Sequence, residues 1–290
     1  MPRSRFSGRS TSHHNWNPQT SVAPVLATSV TADVAVQERV DSLLRERLDL
    51  HAQLFDAAQI QRKLSGPRAL QQGSMQFASE VFAAHYLSGD FVVLSHEGPK
   101  VLTAVGDIAG KGFAAGMWFT NLAGLLQSYV HPSDPGRTAA EINRHLCYLR
   151  PVAPFVTAFF AQLDCEDGTL IYCNAGHFPP ILLHSDGRTE TLDKGGPLLG
   201  ALEHATFDSG QVSLTAGDIL VAYSDGVLEC RNSAGEEFGM LRLLRAVHTA
   251  KQPTAQETLV VLLAAIQDFA NGRSLSDDLS LLVIQRNFTH

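Results

Sequence analysis

The residues best suited to chemistry are carboxylates that stand beside glycine. Asp107 lies in Gly106-Asp107-Ile108-Ala109-Gly110-Lys111-Gly112. The apolar run from Lys100 to Val105 before it reads as a buried strand, and Phe113 to Tyr129 after it as a helix. A carboxylate at that junction, among glycines that let backbone approach closely, suits a hard metal ion or a phosphate. On its own the stretch suits an ordinary glycine-rich turn equally well, with its Asp capping the next helix. Other acids shift the balance. Asp90 in Ser88-Gly89-Asp90-Phe91 opens a strand-like run, Asp225 in Tyr223-Ser224-Asp225-Gly226 closes one, and Asp277-Asp278 precedes Leu281-Leu282-Val283-Ile284. Acids at strand ends, far apart in sequence and without a His or Cys cluster, fit oxygen coordination of magnesium or manganese better than zinc or copper. Two such ions sharing a carboxylate could activate water against a phosphoryl centre.

The elements that must position these acids follow from hydrophobic periodicity. Strands are predicted over 77–86, 91–95, 100–105, 157–164, 169–174, 181–184, 189–192, 211–214, 218–223 and 279–285, several joined by hairpin turns such as Glu166-Asp167-Gly168 and Ser185-Asp186-Gly187. Helices are predicted over 113–129, 138–149, 240–247 and 254–269. Helices that fall in pairs between runs of strands predict an α+β fold. Its core is a two-sheet antiparallel β-sandwich flanked by helices, with the acids at one rim.

Ahead of this domain, residues 1–31 are rich in Ser, Thr, Pro, Asn and His without apolar periodicity and read as a disordered lead. Residues 32–70 read as a helical linker, helical to about 64 and ended by Ser65-Gly66-Pro67; residues 71–290 form the main domain. Val36, Val40, Leu43, Leu50, Leu54 and Ala57 form one apolar stripe, and Leu44, Leu48, Phe55 and Ala58 a second beside it. Such a helix buries its stripes against a second copy, as a dimeric coiled coil, or against its own domain.

The chain of 290 residues is 44% apolar and 18% charged, enough for one large domain with a core. Its formal charge of −7 argues against general nucleic-acid binding. No apolar run approaches the roughly 18 residues of a membrane span, and no apolar segment follows the basic N-terminus as a secretion signal requires. Cys147, Cys165, Cys173 and Cys230 show no paired spacing, so buried thiols in a reducing cytoplasm are the expectation.

Several motifs together carry a family resemblance. Ser88-Gly89-Asp90-Phe91, Gly106-Asp107-Ile108-Ala109-Gly110-Lys111-Gly112, Asn174-Ala175-Gly176-His177-Phe178-Pro179-Pro180, Gly196-Pro197-Leu198-Leu199-Gly200, Tyr223-Ser224-Asp225-Gly226 and Asp277-Asp278-Leu279-Ser280 occur in that order. The sequence resembles the metal-dependent PPM serine/threonine phosphatases, in the branch of sporulation protein E and the sigma-factor-regulating phosphatases, over residues of about 65–286. The resemblance implies two Mn²⁺ or Mg²⁺ ions bridged by Asp107, with the Ile108 carbonyl as a further ligand. Asp225 and Asp277, with its neighbour Asp278, would serve one ion and Asp90 the other. It further implies in-line attack of a shared hydroxide on phosphoserine or phosphothreonine, with Asp107 and Asp225 essential to catalysis. The implied substrate is a phosphorylated anti-sigma-factor antagonist of the STAS type, and the implied regulation is an upstream signal acting on the N-terminal helix of a homodimer. Lys111 stands where the branch usually has His, and as a point charge it could hold phosphate oxygens. Val92-Val93-Leu94 stands where many relatives carry a second Asp. His177 is read either as catalytic or as orienting its turn. The rival readings are a catalytically weak pseudophosphatase that works as a signalling adaptor, and a metal-dependent nuclease or cyclase.

Overall fold

The computed structural model describes residues 23–129, 133–250 and 254–288. In chain order its elements begin with α1 (Ala23–Leu64), β1 (Ala69–Gln72), β2 (Met75–Phe82), β3 (Asp90–Glu97), β4 (Lys100–Ile108), α2 (Phe113–Tyr129) and α3 (Pro135–Tyr148). There follow β5 (Val156–Asp164), β6 (Thr169–Ala175), β7 (Ile181–Leu183), β8 (Thr189–Thr191), β9 (Gly195–Gly196), β10 (Gly210–Ser213) and β11 (Ile219–Tyr223). The chain closes with α4 (Asp225–Leu228), α5 (Gly239–Thr249), α6 (Ala255–Ala270) and β12 (Leu279–Arg286).

The strands form two sheets, ordered β1-β2-β12-β11-β7-β8 and β10-β6-β5-β4-β3. All pairings are antiparallel except a short parallel one between β6 and β9. The two-residue period of the strands sorts their side chains into layers. Val92 and Leu94 of β3, Val101 and Val105 of β4, Leu220 and Ala222 of β11, and Leu282 and Ile284 of β12 share the core between the sheets. The alternate residues of β3 and β4, Phe91, Ala104 and Ile108, pack with α2 and α3. Those of β11 and β12, with Tyr223, Leu281 and Val283 among them, pack with α5 and α6. Four layers result, helices outside two sheets, in agreement with the sandwich expected from the sequence.

The differences from expectation are local. Residues 1–22 of the expected disordered lead lie outside the described residues, but 23–31, where Ala, Val and Leu alternate with Ser and Thr after Pro24, belong to α1. The expected linker to 70 ends instead in β1, whose Ala69 pairs with Ala78 of β2. Helix α3 starts three residues before the predicted 138 because Asp134 caps it, accepting from the Arg137 amide at 3.1 Å, and Pro135 occupies its first turn. Helix α6 is capped by Thr254, whose Oγ1 accepts from the Glu257 amide at 3.2 Å.

The chain divides into two compact units, Met1–Gln53 and Leu54–His290. In the first, Val36, Val40, Leu43, Leu44, Leu48 and Leu50 are exposed. In the second, the end of α1 is tied to β3 by the Leu94 amide donating to the Ser65 carbonyl at 3.0 Å.

Candidate functional site

The alternation that sorts the core also aims the acids. Asp107 shares its face of β4 with Val101 and Val105, and Asp90 shares its face of β3 with Val92 and Leu94. The two carboxylates are paired directly across the β3–β4 ladder, so both stand on the face that looks into the space between the sheets, at its rim. From the opposite sheet, Asp225 starts α4 just after β11, and Asp277 and Asp278 precede β12, which pairs with β11. Gly226 makes this approach possible. A Cβ there would lie 1.8 Å from the Asp278 carbonyl oxygen, so only glycine lets the Asp225 turn close on the Asp277-Asp278 segment.

Like charge dominates the rim. Burial, followed by Asp225, Asp277 and Asp278, pushes the Asp107 carboxyl up to about 6, with Lys111 opposing. Burial and then Asp277 raise Asp225 as well. Asp90 is 3% exposed, and burial lifts it well above the carboxylate range, with Asp107 and Asp278 adding to the effect and Ser224 opposing it. Its Oδ2 accepts no hydrogen bond.

Three carboxylates already have partners. Lys111 Nζ lies 2.7 Å from Asp277 Oδ2, an exposed pair that sets a positive charge against the acids. The Asp277 Oδ1 accepts from the Asp278 amide at 2.9 Å. Asp278 braces the β2–β3 loop: its Oδ1 accepts from the Ala84 amide and its Oδ2 from the Gly89 amide, both at 2.7 Å. Asp278 therefore serves backbone in this structure, each oxygen accepting one amide. Asp218, an acid of the same strand region as Asp225, is remote from the rim in its bonding and holds Ser185, Thr215 and His184.

Among the described residues no group of three His, Cys, Asp or Glu side chains closes on one point. The donors nevertheless fit a hard divalent cation. At Gly89 an added Cβ would meet the Ile108 carbonyl oxygen at 2.9 Å, Asp107 Oδ1 at 3.1 Å and the Gly110 carbonyl oxygen at 3.3 Å, an oxygen-lined cradle beside the unpartnered Asp90 oxygen. The Ile108 carbonyl thus stands beside the Asp107 carboxylate. The Gly110 carbonyl was not picked out from sequence, because backbone oxygens carry no residue-type signal.

Two further residues were missed or left open. Gln61 of α1 holds Ser88 through both of its amide atoms, Nε2 donating to the Ser88 carbonyl at 2.6 Å and Oε1 accepting from the Ser88 amide at 3.2 Å. Ser88 adjoins Gly89, so the end of the helix grips the loop that carries Asp90. Only spatial proximity across 27 residues reveals this contact. His177 is 6% exposed, its amide donates to Asn174 Oδ1 at 2.8 Å, and its Nδ1 lies 3.0 Å from Thr157 Oγ1. Burial holds its pKa down to about 4, so the ring is neutral at physiological pH.

The chain is 28% identical over 233 residues to Protein IcfG of Synechocystis sp., covering 70% of this chain and 37% of IcfG. It is 24% identical over 245 residues to Phosphoserine phosphatase RsbU of Bacillus subtilis, covering 82% of this chain and 71% of RsbU. The chain therefore spans little more than a third of one curated relative and most of the other. In three dimensions it resembles the SiaA-PP2C domain of Pseudomonas aeruginosa with a TM-score of 0.71 at 17% identity, over 84% of this chain and 98% of that domain, a likeness of fold. Residues 97–287, well over half the chain and inclusive of Asp107, Asp225 and Asp277, match the family described as Stage II sporulation protein E (SpoIIE), to which this chain belongs.

Proposed function

We propose that the chain is a protein serine/threonine phosphatase that requires divalent magnesium or manganese and acts on a phosphorylated signalling protein. One observation carries the reading: Asp107, Asp225, Asp277 and Asp278 converge on one rim, where burial first and then their mutual repulsion push the Asp107 carboxyl up to about 6. A fold that assembles such a cluster at a rim leaves it short of positive charge. Divalent ions would supply that charge, activate water and neutralise a phosphoryl group. Asp107, Asp225, Asp277 and the Ile108 carbonyl are the groups we assign to holding them, with Asp90 at the floor and Asp278 keeping the Gly89 loop in place. Lys111, exposed, exchanges its contact with Asp277 for phosphate oxygens. The likeness to RsbU, a phosphoserine phosphatase, supports the reaction, and membership of the SpoIIE family supports a role in regulating sigma factors. The substrate we assign is accordingly a phosphorylated anti-sigma-factor antagonist of the STAS type. The exposed apolar residues of α1 support pairing with a second copy, which light scattering on the full chain would register as twice the monomer mass.

The Lys111–Asp277 ion pair favours a second reading, a catalytically weak adaptor in which lysine occupies a carboxylate that an ion would need. Hydrolysis of p-nitrophenyl phosphate with and without manganese separates the two. The phosphatase reading expects manganese-dependent turnover that Asp107→Asn and Asp225→Asn each reduce on the order of a thousandfold with the fold intact. Metal-independent turnover, or full activity in either variant, would overturn it; a folded wild type without turnover would favour the adaptor.

A further inference from the structure

Beside the acid rim lies a cavity of about 320 Å³ lined by Gly226, Cys230, Arg231, Arg273, Ser276 and Asp277 among others. It adjoins both halves of the opposite-sheet acid pair, since Gly226 follows Asp225 and Asp277 lines its wall. Two arginines face it in a chain whose formal charge is −7. They are not equivalent. Arg231 is neutralised by Glu237 at 2.6 Å, and nearby Arg242 by Glu236 at 3.4 Å. Arg273 has no carboxylate partner among the described residues; its Nη1 donates to the Asn232 carbonyl at 2.8 Å, which leaves its other guanidinium donors available.

The fold places that guanidinium. Helix α6 ends in a left-handed residue, Asn271 at φ 48°, followed by Gly272 at φ 79°, and the Arg273 amide turns back to the Ala270 carbonyl at 3.2 Å. On the other side, Asn232 is held in a tight turn, its Oδ1 accepting from the Ala234 and Glu236 amides at 3.0 Å each. A guanidinium anchored at one nitrogen by a rigid carbonyl keeps a planar fork of donors for an oxyanion, at little entropic cost. An acidic rim in an acidic protein repels an anionic substrate in general, so a lone unneutralised arginine beside it acts as a selector of orientation.

We propose that this cavity is a recognition subsite for an anionic side chain flanking the phosphorylated residue of the substrate protein, and that Arg273 is the residue that reads it. The proposal rests on the phosphatase reading for what occupies the neighbouring rim. It adds a substrate preference, for phosphorylated segments with an acidic neighbour.

The test uses the full chain with manganese and two fluorescein-labelled peptides that carry a phosphonate in place of the phosphate ester. One has Asp and Glu flanks, the other neutral flanks, and binding is followed by anisotropy. The wild type is expected to bind the acidic-flanked peptide about five-fold more tightly. Arg273→Ala removes that preference, and Arg273→Glu shifts it toward a third peptide with Lys flanks. Turnover of p-nitrophenyl phosphate, which has no flank, stays unchanged in Arg273→Ala. The proposal is overturned if the wild type shows no flank preference or if Arg273→Ala keeps it. It is also overturned if Arg273→Ala weakens both peptides and the small ester alike, since the guanidinium would then be contacting the phosphoryl group itself. Failure of the phosphatase reading gives a different pattern: flank preference that depends on Arg273 in a chain that does not hydrolyse the ester, which supports the anion subsite and removes the enzyme.

Discussion

The two helical layers are built to different standards. On one sheet, α6 buries Leu259, Leu262 and Ile266 almost completely, begins at the Thr254 cap, and fastens Thr258 Oγ1 to Gln285 of β12 at 3.2 Å. On the other, α2 starts directly after the Asp107 loop with Phe113 and Met117 58% and 57% exposed. A cavity of about 570 Å³ lies on that side, lined by Ala123 and Leu126 of α2, Thr103 of β4, Phe160 of β5 and Leu64 of α1. A groove of this size leaves the α2–α3 side less closely covered than the face of α6 that meets its sheet. Asp107 lies at the base of the looser side, while Asp225 and Asp277 belong to the tighter one.

The largest effect expected from this contrast is in stability. Leu262→Ala, in the tight layer, should cost about 2–5 kcal/mol. Leu126→Ala, whose side chain already borders the cavity, should cost less by about 1 kcal/mol, because the removed atoms have fewer partners to lose. Urea unfolding of the two variants measures the gap, and equal losses would erase the contrast.

A smaller effect is expected where α1 reaches the looser side. Gln61→Ala releases Ser88 and with it the loop of Gly89 and Asp90, so the manganese concentration for half-maximal turnover should rise about ten-fold, as when a ligand loses its outer support. An unchanged requirement in a folded variant would show that the rim keeps its shape without the helix.

The smallest concerns Thr103, 5% exposed with no partner for its Oγ1. Thr103→Val should stabilise by about 1 kcal/mol, since it removes a buried hydroxyl that makes no hydrogen bond. A loss of stability, seen as a lower unfolding midpoint, would mean instead that the hydroxyl is bonded to a water buried between the sheets.

Much of the fold could be read locally. Helix α2 begins and ends where periodicity puts it, β4 runs on to Ile108 beyond the predicted 105, and β12 ends at Arg286, next to the predicted 285. Elements without a periodic signature escaped: β9 is a two-residue parallel pairing, and α4 is four residues held by its neighbours. The start of α1 at Ala23 escaped for another reason, since Ser and Thr lower helix propensity only slightly and do not forbid a helix.

At the rim, residue types and strand parity were legible because both are properties of the chain itself. Aspartates next to glycine mark strand ends, and the period of two that puts Val105 in the core also puts Asp107 on the same face. Which partner each carboxylate takes was decided only by tertiary structure. Asp277 meets Lys111 across 166 residues, and Asp278 spends both oxygens on amides of Ala84 and Gly89, 194 and 189 residues away. Adjacent aspartates, alike in sequence, thus acquire different work because one faces the open rim and the other the buried β2–β3 loop. Hydrogen bonds act over about 3 Å, and only the packing of the two sheets determines which groups come within that distance.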